Sequence, residues 1–177
     1  MHEVHGLENL PKRGAFIVVS NHVTYTDAPL LAAVLTPYLN RMIHFVVWKK
    51  MATTRFFRLV IAYFGGVFEN GSMEKLLTLL QQGRIVAIYP EGSRTHTGKV
   101  QKITHTGLGV LAAHAHVPVI PVHMTGAFEF WPYMKTFPTL KKIITFHIGK
   151  PVYYSGKKKT KEYILFGNRI MKIIASL

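Results

Sequence analysis

The sequence predicts an α/β fold: one layered domain with a largely parallel central sheet flanked by helices. Three observations carry this. Short apolar, β-branched runs alternate along the chain with longer stretches of helical periodicity. Helices fit between several of those runs, the arrangement in which parallel strands are joined by crossovers. A chain of 177 residues at 49% apolar content is long enough for one sizeable core and too short for two ordinary domains.

In chain order, Ala15 to Ser20 reads as the first strand, and Asp27 begins a helix running to Leu35. His44 to Trp48 is the next strand, Thr54 to Phe64 a strongly apolar helix, and Gly66 to Phe68 a short strand. Ser72 to Gln82 has helical spacing, with Ser72 suited to cap its start and Gly83 to end it. Arg84 to Tyr89 and Val117 to His123 are strands separated by a helix over Thr106 to Ala115. The VPVIPV stretch, Val117 to Val122, reads as a buried strand with prolines at its ends. Phe128 to Pro138, with Trp131, Pro132 and Tyr133, is an aromatic loop. Ile143 to Ile148 is a last strand, and Lys161 to Ser176 a terminal helix. The charge run SGKKKTK, Ser155 to Lys161, fits a solvated loop and also a membrane contact.

Composition removes several classes of function. With no cysteine, a disulfide scaffold, a thiolate metal site and a cysteine nucleophile are excluded. His114 and His116 are two apart on a helix and point in different directions, so they do not form a metal site, and no metal is expected. The longest apolar or glycine run, Leu59 to Phe68, has ten residues, against the ~20 that span a bilayer. No transmembrane helix or signal peptide is expected, and the chain is read as a single domain, either a minimal form or part of a longer chain. The net charge of +14 calls for an acidic partner surface. Nucleic acid lacks a reading element here, whereas an anionic membrane and the phosphates of a carrier account for the charge.

Two polar clusters follow apolar strands: NHVTYTD, Asn21 to Asp27, and YPEGSRT, Tyr89 to Thr95. In the first, His22 emerges at the carboxyl end of its strand, where open α/β sheets place ligands. A neutral imidazole there is suited to general-base work, with Asp27 holding its other nitrogen. Asp27 also suits a plain helix start, with Thr24 three residues earlier. In the second, Gly92 lets backbone approach a substrate and Arg94 offers a planar fork for phosphate. Neither Ser72 nor Ser93 lies in a G-x-S-x-G elbow, which disfavours a serine acyl-enzyme.

The pair N-H-x4-D and Y-P-E-G-S-R resembles the glycerolipid acyltransferase family typified by bacterial 1-acylglycerol-3-phosphate acyltransferases. Further blocks match in order over roughly residues 4 to 155: the opening VHGLENLPKRGAFIVVSNH, VVWKKM (Val46 to Met51), RFFRLVIAYFGGVF (Arg55 to Phe68) and VPVIPV. The resemblance implies a glycerolphosphate acyltransferase-like fold and transfer of a fatty acyl group from acyl-CoA or acyl-carrier-protein to the hydroxyl of a lysophospholipid. It implies His22 and Asp27 as the catalytic pair and Glu91, Gly92, Ser93 and Arg94 as the acceptor-binding block. Lys49, Arg55, Arg58 and His105 are implied as contacts to the carrier or a phosphate, with no bound cofactor. The expected location is cytoplasmic, peripheral on the inner face of a membrane. A catalytically silent, basic lipid-binding module on the same fold is the alternative. One departure stands out: where relatives carry an arginine after the strand of their second motif, GGVFENGS places Gly71. Arg94 is then the main acceptor-phosphate contact, helped by Arg55 or Arg58, and lysophospholipids with substituted headgroups become acceptable.

Overall fold

The computed structural model describes residues 2–24, 26–48, 55, 58–59, 63, 65–69, 73–132, 135, 137–139 and 143–177. Seven strands form one sheet: β1 (His2–His5), β2 (Phe16–Ser20), β3 (Ile43–Trp48), β4 (Gly66–Glu69), β5 (Ile85–Ile88), β6 (Val119–Thr125) and β7 (Ile144–Ile148). Their spatial order is β1-β7-β6-β2-β5-β3-β4. The five strands from β6 to β4 are mutually parallel, while β7 pairs antiparallel with β6 and carries β1 parallel to itself. The helices are α1 (Asp27–Leu39), α2 (Met73–Gln81), α3 (Gly107–Ala115), a single turn α4 (Ala127–Phe130) and α5 (Thr160–Ser176).

β2 is the centre of the sheet, and all five of its residues are buried. That explains its unbroken apolar run, since a parallel strand covered on both faces has no polar side to show. Phe16 and Val18 face the core built with Leu31 and Leu35 of α1, whereas Ile17 and Val19 face the core built with α2, α3 and α5. Helices thus cover both faces, and β2 delivers whatever follows Ser20 to the carboxyl edge of the parallel strands.

Differences from the expected elements have local causes. β1 was not expected because HEVH carries one apolar residue among polar ones, and it forms by pairing with β7 at the sheet edge. α1 runs four residues beyond Leu35, through Pro37, and ends where Asn40 adopts a left-handed conformation at φ 49°. The expected aromatic loop begins as helix, because Gly126 at φ 75° turns the chain and the Phe130 and Trp131 amides donate to the Gly126 and Ala127 carbonyls. Proline does not stay at the ends of β6: Pro121 is its third residue. The Pro121 carbonyl accepts from Gly149, which lies past the end of β7, so the missing N–H falls where the neighbouring ladder has stopped.

Gly83 ends α2 as expected, at φ 76°. Its amide donates to Leu80 and that of Arg84 to Leu79, the paired bonds of a left-handed helix stop. Of the Thr54 to Phe64 helix, Arg55, Arg58, Leu59 and Tyr63 are helical, and the other residues lie outside those described, as does Ser72.

Candidate active site

Two residues past β2, His22 Nδ1 lies 2.7 Å from Asp27 Oδ2. Asp27 is fully buried, yet His22 keeps 19% of its side chain exposed. The carboxylate is satisfied locally: Oδ2 accepts from the amides of Val23 (2.6 Å) and Thr24 (3.0 Å), and Oδ1 from the Thr24 amide (3.0 Å) and hydroxyl (2.6 Å). With both oxygens accepting from neighbouring donors, Asp27 meets the imidazole as an acceptor, which favours the tautomer carrying its proton on Nδ1. Nε2 is left with its lone pair. Asp27 therefore does both things its position suggested, since it closes the turn into α1 and holds the histidine.

The second cluster is bonded to the first. The Thr95 amide donates to the His22 carbonyl (2.9 Å), Arg94 Nε to the Thr24 carbonyl (3.1 Å), and the His22 amide to Glu91 Oε1 (3.4 Å). Parallel pairing of β2 with β5 makes this possible, because Val19 lies beside Ile88 and the two strands deliver their clusters to one edge. Asn21 anchors the other side. Its amide donates to the Met124 carbonyl (3.0 Å) and accepts from the Met124 amide (2.8 Å), adding a rung between β2 and β6.

Gly92 adopts φ 71°, and a side chain there would come within 3.6 Å of the His105 ring, so His105 is brought to the second cluster just ahead of α3. Ser93 is exposed, and its carbonyl accepts from Gln101. Arg55 and Arg58 are exposed on the helical stretch between β3 and β4. Lys49 and Gly71 lie outside the described residues. Three contributors were not singled out from sequence. Asn21 and Tyr89 were inside the motifs all along, but Gln101, whose amide donates to Glu91 Oε2 at 2.7 Å, comes ten residues later in a loop that carries no pattern. Among the described residues, no group of three or more histidine, aspartate or glutamate side chains could hold a metal.

The fold and this edge define an α/β protein with a histidine held by a buried aspartate at the carboxyl ends of parallel strands. The acyltransferase family model matches residues 2–125, and the chain belongs to that family. It is 28% identical over 141 residues to the 1-acyl-sn-glycerol-3-phosphate acyltransferase of Pseudomonas aeruginosa, covering 74% of this chain and 51% of that protein. The protein of the same name from Bacillus subtilis is 28% identical over 130 residues, covering 70% of this chain and 62% of its own length. The chain thus spans about half to three fifths of the length of these relatives. The crystal structure of the 1-acyl-sn-glycerophosphate acyltransferase PlsC from Thermotoga maritima superposes with a TM-score of 0.77, over 98% of this chain and 69% of that one. At 24% identity that likeness shows the shared fold.

Burial pushes the Glu91 carboxyl from its ordinary 4.5 up to about 7, against the lowering by its bonds from Gln101 and the His22 amide. Glu91 thus holds its proton more tightly folded than unfolded, so stability declines as pH rises from 4.5 through about 7 and levels off above. Glu91→Gln is expected to flatten that decline. Denaturant unfolding at intervals between about pH 5 and pH 8 measures it, and an undiminished slope in the variant would assign the titration to another group.

Proposed function

We propose that this protein transfers a fatty acyl group from the thioester of coenzyme A or of an acyl carrier protein to the hydroxyl of a lysophospholipid. The observation that carries this reading is the 2.7 Å contact between His22 Nδ1 and a fully buried Asp27, in a chain of the acyltransferase family. His22 Nε2 takes the proton of the acceptor hydroxyl as its oxygen attacks the thioester carbonyl. The imidazolium that forms is stabilised by Asp27, which keeps its charge. When the tetrahedral intermediate collapses, the C–S bond breaks and the proton passes to the departing sulfur, giving ester and free thiol.

The names of the relatives support lysophosphatidate as an acceptor. Gly71 argues for a wider choice: losing one of two arginine contacts to a phosphate removes about 1.5–3 kcal/mol, roughly 10- to 150-fold in affinity. Arg94 then carries the acceptor phosphate, with Arg55 or Arg58 assisting.

Thiol release measures the chemistry directly. His22→Ala is expected to lower turnover at least ~100-fold with unchanged circular dichroism, and Asp27→Asn to lose most activity. A folded His22→Ala protein with near-normal release would remove His22 from the mechanism, whereas no thiol release by the unsubstituted protein would favour the silent lipid-binding module. With the two acceptors in competition and their ester products separated, lysophosphatidylethanolamine is expected to be used at least as well as lysophosphatidate. A preference of roughly 100-fold for lysophosphatidate would mean that Gly71 is compensated elsewhere.

The acceptor resides in a membrane, and one surface of the protein suits docking there. Leu59 and Tyr63 are 71% and 80% exposed, and with Arg55 they are spaced four residues apart on one helical face, beside exposed Arg58. Apolar side chains among cations on a chain of net charge +14 fit peripheral binding to an anionic leaflet. Co-sedimentation is expected to be stronger with anionic than with neutral vesicles and to fall with added salt; binding indifferent to both would rule the surface out.

A further inference from the structure

Tyr89 presents a feature that the proposed chemistry leaves unused. Its hydroxyl is buried and has no hydrogen-bond partner among the described residues. Its ring stacks on the His22 imidazole, with centroids 4.5 Å apart and planes inclined by 21°. Register explains the meeting. Val19 pairs with Ile88, so the two strands end side by side, and the residues just past them bring His22 and Tyr89 to one edge of the sheet. Tyr89 packs there against the core that contains α1.

An imidazole held only through Nδ1 is fixed at one edge and remains able to swing about its Cβ–Cγ bond. A half-turn would bring Cδ2 where Nδ1 stood and cost Asp27 its donor. A ring stacked on the imidazole face blocks that motion, so Asp27 fixes the edge and Tyr89 the plane. Once His22 has accepted a proton, the positive ring also lies over an aromatic face, which favours it at the moment the reaction needs it. The hydroxyl has no part in this. Burial, and then the Asp27 charge, push its ionisation well above the ordinary range, which keeps it a neutral phenol.

Resting on the reading of His22 as the general base, we propose that Tyr89 is a positioning residue for His22. Its ring, and not its hydroxyl, holds the imidazole in the plane where Nδ1 meets Asp27 and Nε2 faces the incoming hydroxyl. Tyr89→Phe keeps the ring, and Tyr89→Met keeps most of the volume without it.

Three readouts on the whole chain decide the matter. In the wild type, the His22 Cε1 proton is expected to show an upfield ring-current shift and the Nδ1 proton a slowly exchanging low-field resonance; absence of the ring-current shift overturns the proposal without any variant. Tyr89→Phe is expected to retain both signals and turnover within about twofold. Tyr89→Met, folded by circular dichroism, is expected to lose the ring-current shift, broaden the Nδ1 signal, and drop kcat about 10- to 100-fold with little change in KM. A Tyr89→Phe protein as impaired as Tyr89→Met would move the role to the hydroxyl and overturn the proposal, as would a Tyr89→Met protein with normal kcat and Nδ1 signal. If the wild type releases no thiol from any thioester, the acyltransferase reading fails, whereas the resonance measurements still decide whether Tyr89 orients His22.

Discussion

A carboxylate wholly excluded from water has to find its donors within a few residues or give up its charge, and Asp27 finds them between His22 and Thr24. Stranding such a group would cost several kcal/mol, so the turn between β2 and α1 has little freedom to take another shape. The same turn sets where α1 begins and where His22 points. The placing of His22 and the start of α1 are thus held by one set of hydrogen bonds, and the turn cannot relax without releasing the imidazole.

Around that turn the structure adds restraints from elements distant in sequence. Asn21 ties it to β6, Thr95 and Arg94 tie it to the loop after β5, and Glu91 reaches the His22 amide. Most of these bonds run through the backbone of the first cluster, so the second cluster braces the segment that carries His22. Buried polar groups of this kind are costly singly and rigid together. Placing them at the carboxyl edge of parallel strands leaves the ring of His22 partly open to a ligand while its partner stays dry.

The elements legible in the sequence are those whose pattern is local. β2 and β5 are apolar runs because both faces of a parallel sheet are covered, and Gly83 ends α2 because the stop requires a positive φ. β1 was missed because HEVH has no such pattern, and it becomes a strand through the β7 edge beside it. Pro121 was placed at a strand end because a proline looks wrong inside a ladder; only the stopping point of β7 shows why it is tolerated there.

By itself, the sequence determined the kinds of chemical group and their order: a histidine five residues before the single aspartate, a glycine and an arginine after an apolar strand, no cysteine, and a large excess of positive charge. These follow from residue identity and short spacing, which a linear pattern retains. Tertiary structure decided which groups meet. It put Tyr89 against the face of His22, Gln101 on Glu91, His105 beside Gly92, and Asn21 on Met124, across separations of 10 to 103 residues or between different strands. Those pairings depend on strand order and register, which arise from the packing of the whole sheet between its helices and leave no trace in the spacing of any one segment.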